Sequence, residues 1–191
     1  MLCACNSRGD IVVADLVNHR IQVFDRNGTF LSKFGSRGQR NGQFNYPRGV
    51  IVDQRNNQIV VADRDNHRIQ IFDEKGAFIR VFFFGSHGKG DGQFSSPCGV
   101  VVDQQGNYVV VDSDNNRIQI FNSEGQFVMK FGSFGRGKGQ MTHTIGVGLL
   151  SNGNIVVAEF GGNRLQIFDS RGNFIRIVGA GKGKKTLASL C

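Results

Sequence analysis

The chain has 191 residues, a formal net charge of +8 and a hydrophobic content of 39%. This length and composition place it among globular proteins that bury their own core, and its apolar runs are too short to cross a bilayer, so no membrane partner is expected. Its four cysteines are too few and too irregularly spaced for a disulfide framework, which favours a reducing, cytoplasmic location.

The first predicted element is a short strand around Cys3 and Cys5. Both side chains would point to the same face of that strand, where we expect them to be small core residues. No second pair of Cys or His follows at the spacing of metal ligands, so the sequence predicts no metal site here.

From that strand onward, one order of elements recurs four times. Each copy contains a stretch such as IVVAD, an arginine segment such as NHRIQVFD, a turn such as DEKG and a last strand such as FLSKFG. The arginines stand at positions 20, 68, 117 and 164, at spacings of 48, 49 and 47 residues. Phenylalanines keep the same register, and we expect their rings in the core. They are Phe24, Phe72, Phe121 and Phe168, followed by Phe30, Phe78, Phe127 and Phe174.

Each copy reads as four short β-strands separated by Gly, Asn and Asp turns, without helical periodicity. Four antiparallel strands at a period of about 40–50 residues predict an all-β fold of propeller blades, which bury their faces by stacking on neighbours. An open arc, or part of a larger ring, is favoured over a closed four-bladed ring, because contiguous blades leave no exchanged strand to lock a ring. The predicted blades cover residues 1–35, 47–85, 97–132 and 145–179, with a basic tail at 180–191.

The segment NHRIQIF and the connecting stretches FGSRGQRNGQFNYPRGVIVD and FGSHGKGDGQFSSPCGVVVD resemble the NHL repeat family, closest to the propellers of TRIM-NHL proteins. The resemblance covers nearly the whole chain, and it implies a six-bladed ring, of which this chain supplies four blades. It implies binding of RNA stem-loops, single-stranded RNA or protein partners on the face that carries the connecting stretches. The RING, B-box and coiled coil that usually precede such repeats are not recognisable here, so we expect ubiquitin-ligase catalysis only from another part of a full protein.

An acidic residue and an arginine five positions later recur in every copy, across the turn between the second and third strands. A catalytic site would occur once, so this repetition predicts a structural ion pair that ties the turn or bridges blades. The four pairs are Asp15 with Arg20, Asp63 with Arg68, Asp112 with Arg117, and Glu159 with Arg164.

No motif argues for an enzyme. The serines lack the strand-to-helix elbow of a hydrolase, and the glycine-rich connecting stretches lack a Walker Lys-Ser/Thr and a following helix. A propeller-fold lyase with NHL-like repeats exists, but its metal chemistry needs a converging set of histidines. Here His19 and His67 share a repeat position with Asn116 and Asn163, which favours hydrogen bonding in a turn. We therefore predict no catalytic residue, cofactor, metal or small-molecule substrate.

Positive charge concentrates in the stretches that connect successive blades, whereas the hairpin loops of the opposite face carry more acids than bases. Cations gathered on one face predict a polyanion partner, because Arg and Lys contacts to phosphate supply most of the affinity. Solubility alone would not require positive and negative side chains to lie on opposite faces. The predicted tail adds Lys182, Lys184 and Lys185.

Aromatic rings among these cations would stack unpaired bases. The sequence therefore predicts an RNA-binding module of a post-transcriptional regulator, which recognises single-stranded or hairpin RNA. The alternative is a protein-interaction platform that recruits substrates to a ubiquitin ligase, since an acidic protein would also match the charge. The predicted RNA-binding residues are Arg37, Arg40, Tyr46, Arg48, Lys89, Phe134, Arg136, Lys138 and Phe160.

Overall fold

The computed structural model describes residues 3–82 and 87–179. The chain divides into two compact units, Met1–Val100 and Val101–Cys191. Regular structure in the described residues is β-strand, apart from one 3₁₀ turn at Arg64–Asn66. No helix among the described residues is long and apolar enough to cross a membrane.

The first unit contains two four-stranded antiparallel sheets, blades 1 and 2. Each strand pairs with its neighbour in sequence, so each blade is an up-and-down meander. The strands of blade 1 are Cys3–Cys5, Ile11–Asp15, Arg20–Phe24 and Phe30–Phe34. The strands of blade 2 are Pro47–Asp53, Gln58–Asp63, Arg68–Phe72 and Phe78–Phe82.

Blade 4 lies within the second unit, and blade 3 begins with a strand that crosses the unit boundary. A short parallel pair, Ser133–Phe134 with Gln140–Met141, lies between these blades in sequence. The all-β fold of four-stranded antiparallel blades is therefore confirmed. The strands of blade 3 are Pro97–Val102, Tyr108–Asp112, Arg117–Phe121 and Phe127–Phe131. Those of blade 4 are Thr144–Leu149, Ile155–Glu159, Arg164–Phe168 and Phe174–Val178.

Blades 1 and 2 share a core inside the first unit. Val12 and Ile21 of blade 1 pack in one cluster with Val50, Val61 and Phe72 of blade 2, and each is at most 3% exposed. The alternation of the strand sequences produces this arrangement, because every second side chain points to the same sheet face. Burial of each such side chain stabilises the fold by about 1.5–3 kcal/mol.

The repeated phenylalanines pair edge to face in every blade, with ring centroids 5.9–6.1 Å apart. Phe72, Phe121 and Phe168 are at most 2% exposed, as expected for core rings. Blade 1 differs, because Phe24 is only half-buried and Phe30 is 49% exposed. The prediction of a buried ring is therefore wrong for Phe30.

Cys3 and Cys5 form the predicted short strand and point to one face of it. That face is exposed, so the prediction that both are core residues is wrong. Ala4, which points the opposite way, packs against the core of the first unit. The register of the strand was predictable, but alternation alone does not tell which of its two faces meets a neighbour.

The hairpin turns between third and fourth strands are fixed by one repeated side-chain oxygen, which belongs to a carboxylate in blades 1, 2 and 4. Asp25 Oδ1 accepts hydrogen bonds from the backbone N–H groups of Asn27 and Thr29, each at 2.8 Å. Asn122 fills the same role in blade 3 with a neutral side chain. The backbone hydrogen bond from Thr29 is the main cause that lowers the pKa of Asp25. The hydrogen bond from the Asn173 side chain does the same for the pKa of Asp169 in blade 4.

We expect the carboxylates of these turns to make the stability of the fold depend on pH. Because their pKa values are lower in the folded than in the unfolded chain, Asp25 and Asp169 stabilise the fold above the ordinary Asp pKa and lose that contribution as pH falls through the folded values. In the double variant Asp25→Asn, Asp169→Asn, the amide still accepts from the backbone but does not titrate. Thermal melts should therefore show a smaller decrease in Tm between pH 5 and pH 3 than for the unmodified chain. An equal decrease would contradict this assignment.

Candidate functional site

The described residues between successive blades form loops with their own hydrogen bonds. We name residues 35–46 connector 1, residues 87–96 connector 2 and residues 132–143 connector 3. In connector 1, the backbone N–H of Phe44 donates to Ser36 O at 2.8 Å and that of Gly38 to Phe44 O at 3.0 Å. The parallel bridges His87 to Phe94 and Phe134 to Met141 give connectors 2 and 3 the same form.

Connector 1 requires its first glycine. Gly35 has φ +92°, and a Cβ built there would lie 2.4 Å from the ring of Phe44. A side chain at Gly35 would therefore be strained in backbone conformation and would also displace the buried aromatic anchor of the loop. Phe44 itself is 0% exposed and packs against Phe34 and Phe72.

The arginine of the repeated pair donates hydrogen bonds both to its acidic partner and to the backbone of the connector. Arg68 Nε donates to Asp63 Oδ2 at 2.7 Å. Its terminal nitrogens donate to three connector carbonyls: Nη1 to Gln39 O at 2.8 Å, and Nη2 to Arg40 O at 2.8 Å and Gln43 O at 2.7 Å. The planar fork of the guanidinium suits this task, since it presents five donors in fixed directions. The pair is thus a link between blade 2 and connector 1.

A glutamine two positions after the arginine completes the contact, and the sequence reasoning missed it. Gln70 Nε2 donates to Gln43 O at 2.7 Å and to Asp63 Oδ2 at 3.1 Å, while Gln70 Oε1 accepts from the N–H of Gly42 at 3.0 Å. The signal was present in the sequence, because the Gln of RIQIF recurs in every copy. We call Asp63, Arg68 and Gln70 the clamp of blade 2.

Blade 4 has an equivalent clamp, formed by Glu159, Arg164 and Gln166. Arg164 Nε donates to Glu159 Oε1 at 2.8 Å, and its terminal nitrogens donate to the carbonyls of Arg136, Gly137 and Gln140 in connector 3. Gln166 Oε1 accepts from the N–H of Gly139 at 3.0 Å. In blade 3, Arg117 Nε lies 2.6 Å from Asp112 Oδ2.

Blade 1 carries the same residue types in a more exposed form. Arg20 Nε donates to Asp15 Oδ2 at 2.8 Å, and Gln22 Nε2 donates to the same oxygen at 3.0 Å. The Arg20 side chain is 30% exposed, compared with 10% for Arg68 and 8% for Arg164. Among the described residues, no backbone carbonyl accepts a hydrogen bond from Arg20.

The pKa values of the clamp acids Asp63 and Asp15 are shifted in opposite directions. Desolvation raises the pKa of Asp63, although Asn45, Asn66 and Arg68 all donate to its carboxylate and oppose that effect. Burial also disfavours the charged form of Asp15, but the hydrogen bonds from Arg20 and Asn18 together outweigh it and lower its pKa. Ionised Asp63 therefore depends on its hydrogen-bond donors, which fits a structural role.

The predicted connector cations are presented to solvent. Arg37 and Arg40 of connector 1 are exposed, and Arg48, which follows in the first strand of blade 2, is half-buried. Lys89 of connector 2 is exposed, as are Arg136 and Lys138 of connector 3. The clamps of blades 2 and 4 hold the backbone of connectors 1 and 3, so the charges of these two connectors project from fixed loops. The tail lysines Lys182, Lys184 and Lys185 lie outside the described residues.

Tyr46 is a half-buried ring between two neighbours. Its ring meets that of His19 edge to face with centroids 4.6 Å apart, and the Arg64 guanidinium lies 5.2 Å from the Tyr46 centroid. The backbone N–H of Tyr46 also donates to His19 Nδ1 at 3.1 Å. His19 therefore acts as a turn acceptor, and a base could reach only the ring surface of Tyr46 that these neighbours leave open.

In the second unit, Phe134 and Phe160 are 73% and 55% exposed. Phe134 borders a groove of about 240 Å³, and the ring of Phe160 lies 6.2 Å from that of His143. Connector 3 thus combines an exposed ring with polar groups and the nearby cations Arg136 and Lys138. The other residues that line the groove are Ser113, Asp114, Asn116, Thr142 and His143.

The histidines do not assemble a metal centre in the part of the chain that the structure describes. His67 lies 4.7 Å from His87 between ring centroids, and His67 Nδ1 accepts from the N–H of Ser96 at 3.1 Å. No group of three or more His, Cys, Asp or Glu within residues 3–82 and 87–179 could hold a metal ion.

Comparisons with known proteins match this chain in its repeated segments. The NHL repeat family model matches residues 2–24, 44–72 and 94–121. The chain is 51% identical over 49 residues to Protein brain tumor of Drosophila melanogaster, a stretch that covers 26% of this chain and 5% of that protein.

Solved propeller structures show the same fold at low sequence identity. The structure of streptogramin B lyase matches with a TM-score of 0.72 and 16% identity over 95% of this chain and 55% of that one. A protein of unknown function from Bacteroides caccae matches with a TM-score of 0.67 and 14% identity over 93% of this chain. This chain spans 60% of the Bacteroides protein. At these identities the likeness concerns the fold alone.

Proposed function

We propose, from the NHL repeats that this chain contains, that its connectors bind single-stranded or hairpin RNA. In this proposal the chain is the RNA-binding module of a cytoplasmic post-transcriptional regulator of the TRIM-NHL type. Cations on the connectors would contact phosphates, and the exposed rings would stack bases. The clamps would keep both sets of groups in place before RNA arrives, which lowers the entropy cost of binding.

Among the connectors, connector 3 has the features that best support RNA binding. Phe134 is a large aromatic side chain that is 73% exposed on an ordered loop, although burial of such a ring would stabilise the fold. Arg136 and Lys138 follow it within four residues and are exposed. The adjoining groove is lined by hydroxyl, amide, imidazole and carboxylate groups. The Ser113 and Thr142 hydroxyls already donate to Thr144 O and Gly135 O, so they would meet a base edge as acceptors. An unpaired nucleotide needs this combination of stacking face, phosphate contact and polar edge.

The direct test is binding of the purified chain to a random pool of single-stranded RNA, with duplex DNA in excess as competitor. We expect enrichment of short RNA motifs that survives the competitor. RNA retention that duplex DNA removes completely would indicate charge attraction alone and would overturn the proposal. Recruitment of an acidic protein would then become the leading function.

Replacement of Phe134 by Ala should weaken RNA binding by about 5- to 150-fold, since one base–aromatic stack contributes about 1–3 kcal/mol. The slope of log affinity against log salt should not change, because no phosphate contact is lost. Fluorescence anisotropy at several salt concentrations measures both quantities. Val128→Ala is the matched control, since Val128 is an exposed apolar residue in the last strand of blade 3. Equal losses in both variants would contradict a specific role for Phe134.

A further inference from the structure

In blades 1 and 2, a histidine side chain holds the end of the connector that follows the blade. The backbone N–H of Tyr46, the last residue of connector 1, donates to His19 Nδ1 at 3.1 Å. The N–H of Ser96, the last residue of connector 2, donates to His67 Nδ1, also at 3.1 Å. An N–H group can only donate, so Nδ1 of each ring carries no proton and Nε2 carries the single proton of the neutral imidazole.

Blade 3 performs the same task with a side chain that does not titrate. The N–H of His143, the last residue of connector 3, donates to Asn116 Oδ1 at 3.1 Å. Asn116 occupies the repeat position of His19 and His67, and all three have a left-handed backbone, with φ between 51° and 54°. An amide oxygen accepts at any pH, whereas an imidazole loses its acceptor nitrogen when it gains a second proton. The three connector ends therefore differ in their response to acid.

The neighbours of His19 offer little to stabilise a charged ring in place. His19 is 8% exposed, and its ring packs edge to face on Tyr46. The Arg64 guanidinium already lies 5.2 Å from the centroid of the Tyr46 ring. A second positive charge is therefore better accommodated in water than at this connector end. The charged side chains of the turns that carry the two histidines are engaged in ion pairs: Asp15 with Arg20, Arg64 with Asp65, and Asp63 with Arg68.

Connector 2 brings a second imidazole to its own end. The ring of His87 lies 4.7 Å from that of His67 between centroids, and His87 Nε2 lies 3.1 Å from Ser95 Oγ. Arg64 belongs to the same turn as His67 and adds a further positive charge. Two imidazolium ions at this separation would repel each other, so proton uptake by both rings favours their separation. Acid therefore acts on connector 2 through two rings and on connector 1 through one.

We propose that His19 and His67 are a pH-dependent device, which holds the ends of connectors 1 and 2 at neutral pH and releases them on protonation, while Asn116 holds connector 3 at either pH. The closed form has no room for a proton on Nδ1, whereas an imidazole released into water takes one with the ordinary pKa of about 6.5. The closed form is therefore favoured above that pH and opens as pH falls. Release also frees the Tyr46 ring from its contact with His19. The device is independent of the RNA-binding proposal.

The test is amide hydrogen exchange of the full chain, followed by NMR at pH 7.5 and pH 5. Protection factors, which compare each amide with an unstructured peptide at the same pH, remove the intrinsic effect of pH on exchange. Those of the Tyr46 and Ser96 amides should fall by about 10- to 30-fold at pH 5, because protonation of the released imidazole favours the open form by up to that factor. The His143 amide should change by less than about 3-fold, since its acceptor is the Asn116 amide. Unchanged protection at Tyr46 and Ser96, or an equal loss at all three amides, would overturn the proposal.

Two reciprocal variants exchange the acceptors between blades. His19→Asn with His67→Asn introduces the acceptor of blade 3 into blades 1 and 2, and the Tyr46 and Ser96 amides should then keep their protection at pH 5. Asn116→His introduces an imidazole into blade 3, and the His143 amide should become sensitive to acid by about 10- to 30-fold. This second variant tests the same chemistry in a different blade, so the result does not depend on the folding of the first. Acid sensitivity that persists in the double Asn variant, or a His143 amide that stays insensitive in Asn116→His, would contradict the proposal.

Discussion

Replacement of Arg68 by Ala should lower the free energy of unfolding by about 3–5 kcal/mol, since it removes one partner of a buried ion pair. Asp63 is 0% exposed and would keep a carboxylate without its cation, and three connector carbonyls would each lose the hydrogen bond from Arg68. Urea titration followed by circular dichroism measures the effect. We also expect faster tryptic cleavage at Arg37 and Arg40, because connector 1 would no longer be held.

Arg20→Ala is the matched control for this variant. Arg20 makes the equivalent ion pair with Asp15, but it is 30% exposed and contacts no connector carbonyl among the described residues. The loss should therefore stay below about 1 kcal/mol, as for other solvent-exposed pairs. Equal destabilisation by the two substitutions would show that the connector contacts contribute nothing.

The effect of Arg68→Ala should also depend on pH. Burial already raises the pKa of Asp63, and loss of Arg68 removes a donor that opposes this shift. A group with a raised folded pKa favours folding below its unfolded pKa and loses that contribution as pH rises. The difference between variant and unmodified chain should therefore be smaller at pH 4 than at pH 8. A pH-independent difference would contradict the presence of an unpaired carboxylate.

Simultaneous replacement of Arg37, Arg40, Arg48, Arg136 and Lys138 by Glu should weaken RNA binding by several orders of magnitude. Each lost phosphate contact with a single strand flattens the slope of log affinity against log salt by about 0.7. The melting temperature should change by only a few degrees, because exposed loop charges contribute little to stability. Anisotropy titrations over a salt series, combined with thermal melts, separate loss of binding from loss of folding.

A matched control reverses charge in the hairpin loops. Arg26, Lys75 and Arg171 are exposed cations, and none of their side chains has a hydrogen bond or ion-pair partner in the described residues. Their replacement by Glu should reduce affinity far less than replacement of the three connector cations Arg37, Arg40 and Arg136 by Glu. Similar losses in both triple variants would mean that net charge alone drives binding. RNA affinity unchanged by the five-site reversal would rule out the connectors as the RNA-binding site.

The sequence by itself determined the local architecture. Alternating apolar residues, turn glycines and the recurrence of NHRIQIF-type segments specified four-stranded blades, because strand formation and hairpin turns depend on neighbours a few residues apart. The ion pair between residues five apart, such as Asp63 with Arg68, was predictable for the same reason. Its two members face each other directly across a pair of hydrogen-bonded strands.

Only the tertiary structure decided what each repeated group contacts. The fork of Arg68 reaches carbonyls 25–29 positions away, and Tyr46 lies between His19 and Arg64. Identical motifs also acquire different environments, since Arg68 is covered by connector 1 while Arg20 faces solvent. Pattern within a repeat cannot distinguish these cases, because burial depends on which surface another segment covers and not on the residues of the motif itself.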